Sequence, residues 1–239
     1  MIRIYLFSET DRKERDRRIA AAADAWIHEK NGLQNASASE TGRQVTDGTI
    51  RVCCEKTKDM MKPCSEKLPS CQVEKTDCGK PFFKGMPGTY LSLSDTGSFA
   101  AVGISDRELG IDLQETGPGT QKDRSLIRMA ERFFPERDRD CCLPQQIRDK
   151  IRSANREQAW DLLDETEQTA VRSRFYELWT MKEAWCKYTG EGIGKNFLTR
   201  SILDVAETLS FKTCEPFPNV VLSVCMDRET AQDMRIVYQ

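Results

Sequence analysis

The sequence predicts an α+β protein of two lobes, each mixing strands with helices. Three observations lead there: a strand followed by an amphipathic helix at the start, a strand-rich middle beyond Gly88, and a helical block that gives way to strand-like runs near the end. The boundary falls near Ser105, giving residues 1–105 as the N-terminal α+β lobe and 106–239 as the C-terminal one.

Each element follows from local pattern. Residues 1–7 read as a strand, and residues 11–28 place Ile19, Ala22, Ala23, Trp26 and Ile27 at helical spacing. From 30 to 77 the composition turns polar around short apolar islands, which predicts loop. Tyr90, Leu91 and Leu93 then lead into a strand at 98–104. The polar residues 105–108 precede another at 109–113, and these last two strands are expected to form a hairpin. Along the second of them Leu109, Ile111 and Leu113 alternate with Gly110, Asp112 and Gln114, so Asp112 and Gln114 share the face away from the three apolar side chains. Residues 121–134 read as a helix stopped by Pro135, with Leu126, Ile127, Ala130, Phe133 and Phe134 along one stripe. Two further helices are expected at 145–163 and 167–188, the second ended by the run from Gly190 to Gly194, which suits a C-cap better than a phosphate loop. Strands are expected at 205–212, 220–225 and 234–238.

Composition removes several function classes. The chain has 239 residues, 38% of them hydrophobic, enough for a sizeable core. Lys plus Arg number 36 against 38 for Asp plus Glu, so no basic field favours nucleic acid or an anionic membrane. No apolar stretch approaches the roughly 20 residues of a membrane-spanning helix, and the first residues lack a secretory core, so a cytoplasmic protein is expected. The ten cysteines include the adjacent pairs Cys53–Cys54 and Cys141–Cys142, which is not zinc spacing and predicts reduced thiols. The single histidine, His28, reads as a solvated helix-end residue, which leaves any general base to another residue type.

On the helix at 167–188, Trp179, Glu183 and Lys187 stand four apart and so line one side. Such a Glu–Lys pair is ordinary on a solvated helix face. The neighbouring Phe175 and Trp185 make this helix aromatic enough to be partly buried, and a carboxylate near a buried boundary needs a partner. A hard cation such as Mg²⁺ is one, since it takes one or two carboxylates together with water and substrate phosphates. Asp112, set between Ile111 and Leu113, is the second candidate ligand, although an edge-strand aspartate remains open for it.

Three stretches, in order, resemble the 4′-phosphopantetheinyl transferases of the surfactin-synthetase-activating type: Gly79-Lys80-Pro81 with the run from Ser92 to Gly97, then the run from Gly110 to Gln114, then the run from Trp179 to Lys187. The resemblance reaches from about Lys75 to the C-terminus. It implies a monomer of two similar α+β lobes with pseudo-twofold symmetry, with coenzyme A and Mg²⁺ (or Mn²⁺) in the cleft, and transfer of the phosphopantetheine arm to a serine of an acyl, polyketide or peptidyl carrier protein. By that resemblance Asp112, Gln114 and Glu183 are metal ligands, Glu183, Lys187 and Asp112 carry the catalysis, and Lys80, Pro81, Ser94, Asp95 and Thr96 contact coenzyme A. Asp95 stands where a histidine commonly meets the 3′-phosphate, and Gln114 where many members have a third acid. The resemblance also places the carrier near the loop at 116–123 and the helix after it, where Met129, Phe133 and Phe134 read either as core or as lying beneath that docking surface. A degenerate member that only binds carrier protein or coenzyme A is the alternative reading.

Overall fold

The structure, a computed structural model, describes residues 1–8, 12–36, 51–53, 72–117, 123–152 and 158–238. Two compact units result: Met1–Leu109 together with Glu229–Gln239, and Gly110–Arg228.

The first unit is built on β1 (Ile2–Phe7), whose six residues are all buried. Burial along the whole strand, Arg3 included, marks a central strand covered on both faces. The unit also contains α1 (Arg12–Ala36), β2 (Arg51–Cys53), β3 (Val73–Lys75), β4 (Pro81–Phe83), β5 (Tyr90–Thr96) and β6 (Phe99–Ser105). With the terminal strand these make a seven-stranded mixed sheet. Tyr5, Phe7, Leu91, Val102 and Ile104 meet Ile19, Ala22, Ala23 and Trp26 of α1 in one apolar cluster. Arg3, almost fully buried on β1, pairs through its guanidinium with Glu29 of α1, which holds the helix in register on the sheet.

The second unit contains β7 (Leu109–Glu115), α2 (Leu126–Phe133), α3 (Glu136–Cys142), α4 (Gln145–Ile151), α5 (Glu165–Thr189), α6 (Lys195–Thr199), α7 (Ile202–Val205), β8 (Ser210–Phe217) and β9 (Val220–Met226). Its three strands pair in the order β7-β9-β8. Helix α5 begins at a capping box, with the Asp164 carboxylate accepting from the Glu167 N–H and the Glu167 side chain returning to Asp164 N–H. It ends on Gly190 at φ 75°, a left-handed position that glycine takes without strain. The hydroxyl of Thr180 lies 2.8 Å from that of Ser223, tying α5 to β9. Around Phe175, which is stacked on Trp179 at a centroid distance of 5.6 Å, gather Phe134, Leu126 and Phe197.

Several sequence-based expectations are corrected. The hairpin of 98–104 with 109–113 does not form. Instead β5 and β6 make the hairpin, with Thr96 opposite Phe99 around Gly97 at φ 53°, while β7 pairs in the other sheet. Local sequence fixes that a strand exists, whereas its partner depends on long-range packing. The strand expected at 234–238 exists as β10 (Met234–Tyr238), yet it runs parallel to β1 and so belongs to the first unit, not to the C-terminal lobe. Helix α3 was not expected, because ERDRDCC carries no apolar period; Pro135, read as a stop, also starts it, with Glu136 and Asp138 in its first turn. The helix expected at 145–163 reduces to α4 and a 3-10 turn at Trp160–Leu162. The strand expected from 205 begins only at Ser210, since Val205 closes α7 inside the core. Helix α1 runs on to Ala36, which leaves His28 exposed in its middle instead of at its end. Most of the polar stretch at 30–77 lies outside the described residues, and so do Cys54, Cys64 and Cys71.

Candidate active site

Strand β7 and helix α5 build the site in the second unit. Every β7 residue from Leu109 to Leu113 is buried, so the strand is covered on both faces; the face carrying Gly110 and Asp112 lies beneath the C-terminal half of α5. The expectation that Asp112 sits opposite the apolar residues holds, but that face turns to the helix and not to solvent. Asp112 is 3% exposed and Gln114, two residues further along the same face, is half-buried.

Lys187 donates from its ammonium to Asp112 Oδ1 at 2.8 Å. Glu183, one turn earlier on α5, is half-buried. Burial first, then the negative charge of Asp112, push its carboxyl from an ordinary 4.5 up to about 7, while Lys187 pulls the other way. Asp112, Glu183 and Lys187 therefore share one electrostatic site. Trp179, although four residues before Glu183, belongs to the aromatic cluster with Phe133, Phe134, Phe175 and Phe197.

Among the described residues no group of three or more His, Cys, Asp or Glu side chains is assembled for a metal ion. The donors at hand are two carboxylates and, further along the strand, the Gln114 amide. Their chemistry fits a hard divalent cation: all are oxygen ligands, and the repulsion between Asp112 and Glu183 is what a bound cation would offset. The thiol beside Lys187 on α5 is unsuited to act as a nucleophile, since burial raises Cys186 to about 12.

The other expected contacts lie in the first unit. Lys80 immediately precedes β4, which Pro81 opens, and its ammonium is bonded to the carboxylate of Glu108. Ser94 is buried and Thr96 half-buried on one face of β5; Asp95 alternates to the other face and is exposed. That alternation turns the Asp95 carboxylate away from the Ser94–Thr96 face.

Sequence reading missed the supports of the site. Lys182, next to Glu183, is fully buried and donates to Asp138 Oδ2 at 3.3 Å and to the Arg200 carbonyl at 2.7 Å. Asp138 also accepts from the hydroxyl of Ser201 and from the N–H groups of Ile202 and Leu203. This network ties α5 to α3 and α7, fixing the rotation that turns Glu183 toward β7. A second buried pair joins Arg172 to Asp123 at 2.9 Å, with the guanidinium over the Trp160 ring. Both aspartates sit in charged, aperiodic segments where sequence offers no sign of burial; only Lys182, adjacent to Glu183 on an aromatic helix, carried a hint.

Residues 108–222 match the model of the 4′-phosphopantetheinyl transferase superfamily. Over 165 residues, 67% of the chain, the protein is 30% identical to 4′-phosphopantetheinyl transferase psf-1 of Bacillus pumilus, of which it covers 59%. It is 26% identical over 129 residues to 4′-phosphopantetheinyl transferase Sfp of Bacillus subtilis strain 168, covering 51% of the chain and 46% of the relative. Over 131 residues it is 30% identical to the L-aminoadipate-semialdehyde dehydrogenase-phosphopantetheinyl transferase of Xenopus laevis, covering 52% and 37% respectively. The chain thus spans about half the length of the curated relatives it matches. The matched stretch contains Asp112, Gln114, Glu183 and Lys187, whereas Lys80 and the run from Ser94 to Thr96 precede it.

Proposed function

We propose that the chain transfers the 4′-phosphopantetheine group of coenzyme A to a serine hydroxyl of an acyl or peptidyl carrier protein. The observation that carries this reading is the meeting of two buried-side carboxylates, Asp112 and Glu183, with one lysine, Lys187, beneath α5. A divalent cation held by Asp112, Glu183 and the Gln114 amide would supply charge compensation for the diphosphate. Mg²⁺ is the ion that this oxygen-only set suits, with Mn²⁺ as its substitute.

In the transfer the serine oxygen forms a bond to the phosphorus that carries the pantetheine arm. The bond from that phosphorus to the bridging oxygen breaks, and 3′,5′-ADP leaves with the electron pair. Glu183 accepts the serine proton. Lys187, anchored by Asp112, presents its remaining N–H donors to the phosphoryl oxygens, where negative charge accumulates. Lys80, Pro81, Ser94 and Thr96 contact coenzyme A, and Asp95 stays at the rim of that site. The two similar lobes with pseudo-twofold symmetry, the monomeric state and the cytoplasmic location belong to the same reading, on the strength of the family resemblance; no helix among the described residues is long and apolar enough to cross a membrane.

The test is a mass spectrum of a carrier protein after incubation with the enzyme, coenzyme A and Mg²⁺. The phosphopantetheine mass is expected on the serine, and Asp112→Ala or Glu183→Ala abolishes it while circular dichroism stays unchanged. Full transfer by either variant defeats the site assignment. Coenzyme A binding without transfer by the parent defeats the enzymatic reading.

A further inference from the structure

The backbone of α5 rests directly on β7 at Gly110. A Cβ built on this residue would stand 2.0 Å from the Ala184 carbonyl oxygen, 2.4 Å from the Tyr188 nitrogen and 3.0 Å from the Lys187 carbonyl carbon. All three are main-chain atoms of α5, so no side chain can swing aside to make room. Contacts under 3.0 Å are essentially never found for real Cβ atoms, so any side chain here forces helix and strand apart by at least about 1 Å.

The place of this contact matters. Gly110 precedes Asp112 by two residues and so shares its face of the strand, while Ala184 follows Glu183 directly and Lys187 is itself one of the three residues touched. The closest approach of the two elements therefore lies beside the two carboxylates. Its backbone conformation gives glycine no other role, because Gly110 has no positive φ.

We propose that Gly110 is the positioning residue of the site: by omitting a side chain it lets α5 seat on β7 and so fixes the gap across which Asp112 and Glu183 grip a divalent cation. This inference rests on the transferase reading for its chemistry, but its geometry stands independently. A carboxylate moved by about 1 Å leaves a pair of oxygen ligands too far apart for one small cation, and a misplacement of that size can cost roughly 10²-fold in rate.

The test compares Gly110→Ala with the parent by the Mg²⁺ concentration that half-saturates carrier modification, and by Mn²⁺ binding read by electron paramagnetic resonance without coenzyme A. In Gly110→Ala both half-saturation values are expected to rise at least tenfold, with the carrier KM unchanged. Gly194→Ala, whose added Cβ meets nothing within 4 Å, is the control and keeps the parental values. The double variant Gly110→Ala/Asp112→Glu, in which one more methylene crosses the widened gap, is expected to recover part of the metal affinity. A folded Gly110→Ala with parental half-saturation overturns the proposal.

Should Gly110→Ala fail to fold, Asp112→Glu alone decides. With Gly110 holding the gap closed the longer carboxylate does not fit, and half-saturation rises at least tenfold; parental values would overturn the proposal. If the parent neither modifies a carrier nor binds Mn²⁺, the transferase reading fails separately. The crystal structure of Gly110→Ala then still judges the spacing, by whether the separation of the 112 and 183 carboxyl groups grows by about 1 Å or stays as in the parent.

Discussion

Replacing Glu183 with glutamine should make the metal-free protein more stable above neutral pH even as it removes activity. The carboxyl of Glu183 sits at about 7 in the folded protein against an ordinary 4.5, chiefly through burial and then through Asp112. Between those values the folded state holds a proton that the unfolded chain has released, so stability falls as pH rises from about 4.5 and the loss is complete above about 7. At about 1.4 kcal/mol per pH unit, the ionised folded form carries a cost of roughly 3 kcal/mol. Glutamine keeps the shape and carries no charge. Urea denaturation at pH 5, 6, 7 and 8 should therefore show parent and Glu183→Gln converging at the acid end, with the variant ahead by up to about 3 kcal/mol at pH 8. A divalent cation competes with the same proton, so 10 mM Mg²⁺ should stabilise the parent at pH 8 far more than at pH 5.5, and the variant at neither. A variant no more stable than the parent at pH 8, or a gap that does not change with pH, would refute the account of a carboxylate penalised first by burial and then by Asp112.

Other outcomes follow from the supports of the site. Lys182→Met removes the buried cation from Asp138, leaving its carboxylate only the neutral donors of Ser201, Ile202 and Leu203, and should cost about 3–5 kcal/mol in urea denaturation. Phe175→Ala empties the centre of the aromatic cluster, for a loss of about 3–5 kcal/mol by the same assay. Asp164→Ala removes the capping box of α5 and should lower stability by only about 1 kcal/mol, leaving the Mg²⁺ half-saturation untouched. Lys187→Gln removes the ammonium bound to Asp112, and carrier modification should fall at least about 10²-fold with folding retained, as judged by mass spectrometry and circular dichroism.

Elements and motifs that are local, or ordered along the chain, were legible from residue pattern alone. The run around β1, the stripe on α1, the helix carrying Glu183 and Lys187, and the strand carrying Asp112 each declare themselves through a period of 3.6 or 2, because solvent and core act on neighbouring residues alike. The motif residues were likewise legible, since they sit within such periods. Partnership between elements came from long-range packing. Nothing local says that β7 leaves β6 for the sheet of β9, that β10 returns to lie beside β1, or that α3 forms from a charged run around an aspartate that is wholly buried. Those outcomes depend on contacts between residues far apart in sequence, and the same holds for the site. That Asp112 raises the proton affinity of Glu183 is a property of two elements brought within reach by a missing side chain at Gly110, and a linear pattern contains no distance across that gap.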